Sequence, residues 1–400
     1  MAEDSRPLSP SVQLWRTFSS RHRLIGSNFY TAILDDPGYI TDTGLRKSAE
    51  PAAFFDRHAL TICRATGESL SCQFQYDPIG ARLCRALGHR HNYNVQRFQV
   101  DDALISSSVL PQALVCYVNY YGCWEFAFQV SQAVSQLVTT GTSVLGKDHA
   151  TLVSLCANLA AIDRNVECRK LYTFALTLTQ DVLEAAFLRL RMATAELKRL
   201  DNAAKAEKII QELLSFSTSG ERGACAADWN AVSAVALNLA ALIQVRDGNP
   251  ETAIDSVRLA TELIESALEV GGSLRTSIVE RYRIQIWENL ATLNLLRGDR
   301  DTALDIIART EGYADAQHPD SRAECAAVRG YMLYRCGDPE QALRSLAKAE
   351  ALLRESTNPV RHAEVMKLLA LVTYDLGQTE EAAYWLSSSR SQVLSESHTI

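Results

Sequence analysis

The chain has 400 residues, 47% of them hydrophobic and 22% charged. That is enough apolar material for one large or two ordinary cores, and too much for a disordered polymer. The net charge of −7 excludes a whole-chain polybasic nucleic-acid binder, and the sequence holds no long unbroken apolar run of the kind that predicts a membrane-spanning helix.

The start, Met1-Ala2-Glu3-Asp4, is acidic and polar and predicts no secretory leader. Ten cysteines are scattered singly, with no C-x-x-C pair and no Asn-x-Ser/Thr acceptor, so buried thiols in a reducing cytoplasm or nucleus are expected. Residues 1–11 are polar and proline-containing, and are expected to lack structure. Phe54, Phe55, Ala59, Leu60 and Cys63 make a helical stripe closed by Gly67. Asp77-Pro78 caps a second short helix that turns Ile79, Leu83 and Leu87 inward and stops at Gly88. Cys72, Cys84, His89 and His91 number the four ligands of a zinc site, but their C-x11-C-x4-H-x-H spacing matches no standard one. The run from Gly88 to Phe98 mixes basic and aromatic residues in too short a stretch to expect a nucleic-acid surface.

The texture changes near residue 100. Residues 1–100 carry +3 and residues 101–400 carry −10, and the later part is rich in alanine and leucine. This sets the expected boundary between an N-terminal region, 1–100, and a helical domain, 101–400. The helical domain repeats. Gly122 with Ala127, Gly248 with Ala253, Gly298 with Ala303, Gly337 with Ala342 and Gly377 with Ala382 all place a glycine five residues before an alanine. Leu200–Ala206 keeps the shape without the glycine. In each unit the glycine lets a helix end at positive φ. Asn249-Pro250-Glu251 and Asp338-Pro339-Glu340 then offer a cap, a proline preset for the first turn and an acid facing the helix dipole. One pair cannot bury its own apolar face, so pairs must stack.

Gly330, Ala342 and Ala349 carry the spacing of the tetratricopeptide repeat: a small residue, an alanine twelve positions on, and a small residue seven further. The other units match it in part, with Thr310 and Ser389 in the last small position. Val144-Leu-Gly-Lys-Asp148-His149 leading into Asn158-Leu-Ala160 resembles the kinesin-light-chain type of repeat, with a second helix near Asp163–Leu178 that is a few residues short. The resemblance implies an all-α fold: a right-handed α-solenoid of about seven antiparallel helix pairs over residues 105–396, after a less regular helical N-terminal region.

No G-x-S-x-G, GxxxxGK[ST], GxGxxG after a strand or HExxH occurs, and no enzyme, cofactor, metal or small-molecule substrate is expected. The expected partner is another protein, and the expected role is that of an adaptor. A peptide sensor with the N-terminal region as output, or a structural subunit of a larger complex, stand as alternatives. Three units repeat Asn-Leu-Ala, at Asn158, Asn238 and Asn289. An amide both donates and accepts, so a ladder of them would hold an extended peptide by its backbone, as the resemblance implies; the competing reading bonds each asparagine to a neighbouring helix. Arg189, Arg191, Arg281 and Arg283 lie beside the same helices and suit carboxylates, against the reading of a solvated helix face. Trp124 and Trp287 read as core anchors.

Overall fold

The computed structural model describes residues 105–106, 110–111, 114, 124–141, 145–162, 165–218, 225–274, 276–314, 319–354 and 359–397. The expectations for residues 1–100, for Gly122 and for the Trp124 side chain fall outside these. Among the described residues the chain forms thirteen α-helices and no strand. They are α1 (Trp124–Thr140), α2 (Ala150–Ile162), α3 (Cys168–Leu178), α4 (Val182–Lys198), α5 (Ala203–Thr218), α6 (Ala226–Arg246), α7 (Pro250–Val270), α8 (Thr276–Leu296), α9 (Arg300–Ala314), α10 (Pro319–Arg335), α11 (Pro339–Leu353), α12 (Pro359–Asp375) and α13 (Thr379–Ser397).

Packing follows chain order. The hairpins α2/α3, α4/α5, α6/α7, α10/α11 and α12/α13 make the most intimate contacts, and α1/α2, α11/α12 and α5/α6 join them in series. Short turns make each hairpin antiparallel. The described residues divide into two compact units, one reaching Tyr282 and one running from Arg283, with the division inside α8.

The glycine–alanine code works as the sequence predicts. Gly248, Gly298, Gly337 and Gly377 have φ of 81°, 90°, 87° and 80°. There the amide after the glycine returns to the helix, as Asp338 N–H does to the Leu333 carbonyl at 3.0 Å. Ala253, Ala303, Ala342 and Ala349 are fully buried where the paired helices meet. Gly330 serves closeness rather than turning: a Cβ there would stand 2.6 Å from Leu346 Cγ. Thr310 and Ser389 fill the last small position by returning their hydroxyls to the Ile306 and Leu386 carbonyls. Asp338 accepts from the Gln341 amide at 3.0 Å, the cap that was expected. Asn249 stands at the cap position of α7 but its side chain makes no cap bond, so Pro250 at the first helical position and Glu251 in the first turn carry that start.

The weaker units depart in instructive ways. The turn from α4 to α5 has no glycine, and Asp201 takes φ 54° in its place. Helix α3 has only 11 residues, as its short sequence suggested. One core gathers Val130, Val134, Leu152, Leu159, Leu171 and Tyr172 under α1–α4. Another gathers Leu333, Leu346, Leu353, Leu369 and Val372 under α10–α12. Helix α6 is long and apolar enough to cross a membrane by length and composition; 67% of its most apolar window is buried inside the protein, and its apolar side chains serve that core.

Candidate functional site

The three repeated asparagines sit on the first helices α2, α6 and α8 and are held within the packing. Asn158 is 2% exposed and its amide oxygen accepts from the Tyr172 hydroxyl of α3 at 2.7 Å. Asn238 and Asn289 are 2% and 8% exposed. Asn158 bonds a neighbouring helix, and Asn238 and Asn289 share its burial. Asn158 accepts from the buried hydroxyl of Tyr172, and a hydrogen bond of this kind contributes about 1 kcal/mol.

The arginines separate. Arg191 of α4 is 6% exposed and faces inward. Arg283 and Arg189 are half-buried and lie over aromatic rings. The Arg283 guanidinium carbon is 3.4 Å from the centre of the Tyr313 ring, and Tyr313 packs against Trp287 with centroids 6.4 Å apart. Arg189 lies 5.9 Å from the centre of the Phe216 ring, which is 39% exposed. The two sites share a register: the arginine is the eighth residue of a first helix, α8 or α4, and the ring is the fourteenth of the second helix, α9 or α5. Arg189 has no side-chain hydrogen bond or ion pair among the described residues. Stacking orders a guanidinium while leaving its edge for a carboxylate. Sequence reading singled out the arginines but missed Phe216 and Tyr313; the signal was an aromatic late in the second helix wherever an arginine stands in the third turn of the first.

Buried carboxylates do structural work beside these sites. Glu196, 1% exposed, accepts from Arg169 of α3 at 2.6 and 2.7 Å and from Lys205 of α5 at 2.8 Å. Burial raises its carboxyl, but the two cations outweigh burial and hold it below the usual range. Asp228 of α6 accepts from the Ser273 amide and hydroxyl, the Leu274 amide and the Cys225 thiol. It thereby fixes the loop after α7, and those donors hold its carboxyl low against the opposing pull of burial. Glu350 of α11 bonds Arg354 and reaches His362 of α12 at 3.1 Å, and it too is held low although burial raises it. Burial pushes the thiols of Cys156 and Cys325 far up and that of Cys168 up to about 11. These three are inert packing residues, as expected from sequence; Cys225 is exposed, against that expectation.

No family model and no curated protein matches the chain. Solved structures do match it. BtubC (BKLC) from P. vanneervenii is 14% identical, with a TM-score of 0.44, over 62% of this chain and 92% of that one. A putative kinesin light chain from Podosopora anserina, with nearly identical TPR-like repeats, is 13% identical, with a TM-score of 0.39, over 51% and 92%. A Rap protein complexed with competence and sporulation factor is 12% identical, with a TM-score of 0.48, over 74% and 78%.

Proposed function

We propose that the chain is a protein-interaction scaffold whose first helices hold acidic groups of a partner through arginines stacked on aromatic rings, one such contact in each unit. The observation that carries this reading is the shared register of Arg189 over Phe216 and Arg283 over Tyr313. A core does not need a cation–π pair at the same place in two hairpins, and a ring-stacked arginine suits a carboxylate better than a lysine would. In this reading Asn158, Asn238 and Asn289 hold neighbouring helices together, and Arg191 belongs to the same interior.

The test is a pull-down from cell extract with three chains: wild type, the R189A/R283A pair, and N158A/N238A/N289A. Circular dichroism and thermal melts establish which variants are folded. Loss of a partner from the folded arginine variant, with more than half of it recovered on R189K/R283K only at low salt, supports the reading. Equal capture by wild type and arginine variant overturns it. Capture lost only by a fully folded asparagine variant would restore the amide ladder as the contact.

A further inference from the structure

A cleft of about 460 Å³ opens between the first turn of α9, the last turns of α10 and the start of α11. That size suits a small molecule rather than a single water or a whole helix. Its floor is apolar, from Leu304 and Leu333, and its walls carry both signs of charge, from Arg300, Asp301 and Arg329. The remaining wall is already occupied: Asp338 spends its carboxylate on the main chain and side chain of Gln341.

The free valences are specific. Among the described residues the Arg300 side chain reaches only the Cys336 carbonyl, at 3.4 Å, which is too long to restrain a guanidinium. Asp301 is exposed and has no ion pair or side-chain hydrogen bond among the described residues. Arg329 gives one nitrogen to Glu311 and keeps the rest of its fork. Arg300 also occupies a costly position. Helices α7 and α11 begin with Pro250 and Pro339, the residue preset for that position, whereas α9 begins with a cation that opposes the helix dipole. A residue that costs its helix something and gains no firm partner in return marks a site rather than a turn.

We propose that this cleft binds a small zwitterion of the amino-acid type. Its carboxylate pairs with Arg300 and Arg329, its ammonium with Asp301, and its apolar body lies on Leu304 and Leu333. The inference is independent of the stacked arginines, because the cleft lies at the turn edge of α9–α11 and uses none of their residues.

Isothermal titration of the full chain tests it with three probes: L-leucine, 4-methylpentanoate, which lacks the ammonium, and 3-methylbutylamine, which lacks the carboxylate. Leucine is expected to bind saturably, and each singly charged probe about tenfold or more weaker. Arg300→Ala should weaken leucine and 4-methylpentanoate by a similar factor while leaving the amine unchanged. Asp301→Asn should weaken leucine and the amine and leave the acid unchanged. Arg300→Pro, which supplies the residue α7 and α11 carry, keeps the test readable if the alanine variant melts early. No saturable binding of leucine to the wild-type chain overturns the assignment, and so does equal binding of leucine by wild type, Arg300→Pro and Asp301→Asn.

Discussion

The turn from α4 to α5 and the turn from α10 to α11 perform the same task with different chemistry. In the later turn the backbone does nearly everything: Gly337 takes φ 87°, Asp338 caps, Pro339 starts the helix, and Gly330 lets the two helices close on Leu346. In the earlier turn no glycine is present, Asp201 is forced to φ 54°, and buried Glu196 ties α3, α4 and α5 together through Arg169 and Lys205. Where small residues set the spacing, few side chains need to act as fasteners. Where they are missing, charged groups hold the hairpin, and the sequence no longer looks like a repeat.

The comparison breaks most sharply at Gly330. Gly330→Val should cost about 3 kcal/mol through overpacking against Leu346, because the added atoms have no room that the α10/α11 contact can yield. Denaturant unfolding measures this, and a near-neutral result would mean that the helices separate freely. Removing Glu196 comes next. Glu196→Ala should destabilise by about 2 kcal/mol, less than a fully buried pair would, because Arg169 and Lys205 keep access to water and rehydrate once released. A matching Glu311→Ala should cost less, since Glu311 is 15% exposed against 1% for Glu196 and its carboxylate is already partly hydrated.

Acid reads the same difference by titration. Glu196, Asp228 and Glu350 are all held below their ordinary values, so each contributes stability that is present above the unfolded carboxylate range and is lost as pH falls through the folded value. Melting temperature should therefore drop below about pH 4, and the Glu196→Ala chain should lose less over that interval than wild type. An equal loss in both would remove Glu196 from the account. The smallest effect belongs to Asp201. Asp201→Ala should cost about 1 kcal/mol, and Asp201→Gly should be the more stable of the two, since both give up the pair with Arg246 and glycine accepts positive φ more readily. Thermal melts that rank alanine above glycine would show that chain entropy, not the cost of positive φ, governs this turn.

Sequence reading of the site was uneven for the same reason. The glycine and alanine positions were legible because each has a local cause: a turn that only glycine takes without cost, or a contact that only a small residue permits. The asparagine triplets were equally visible, yet the sequence left them balanced between a peptide ladder and a helix contact. Tyr172, whose hydroxyl donates to Asn158, lies fourteen residues on and carries no mark of that role. Phe216 and Tyr313 passed as ordinary apolar residues until the fold brought them beneath Arg189 and Arg283. Arg300, between Gly298 and Ala303, drew no separate reading, although its contrast with Pro250 and Pro339 stands in the sequence.

The sequence by itself determined that the domain is helical, where most hairpins turn, and which small residues lie at their contacts, because these follow from dihedral preference and periodicity within a few residues. Tertiary structure decided which polar side chains face inward, which arginines lie on rings, and where a cleft remains open. Those outcomes depend on neighbours distant in the chain, and burial changes the free energy of a polar group more than any local preference does.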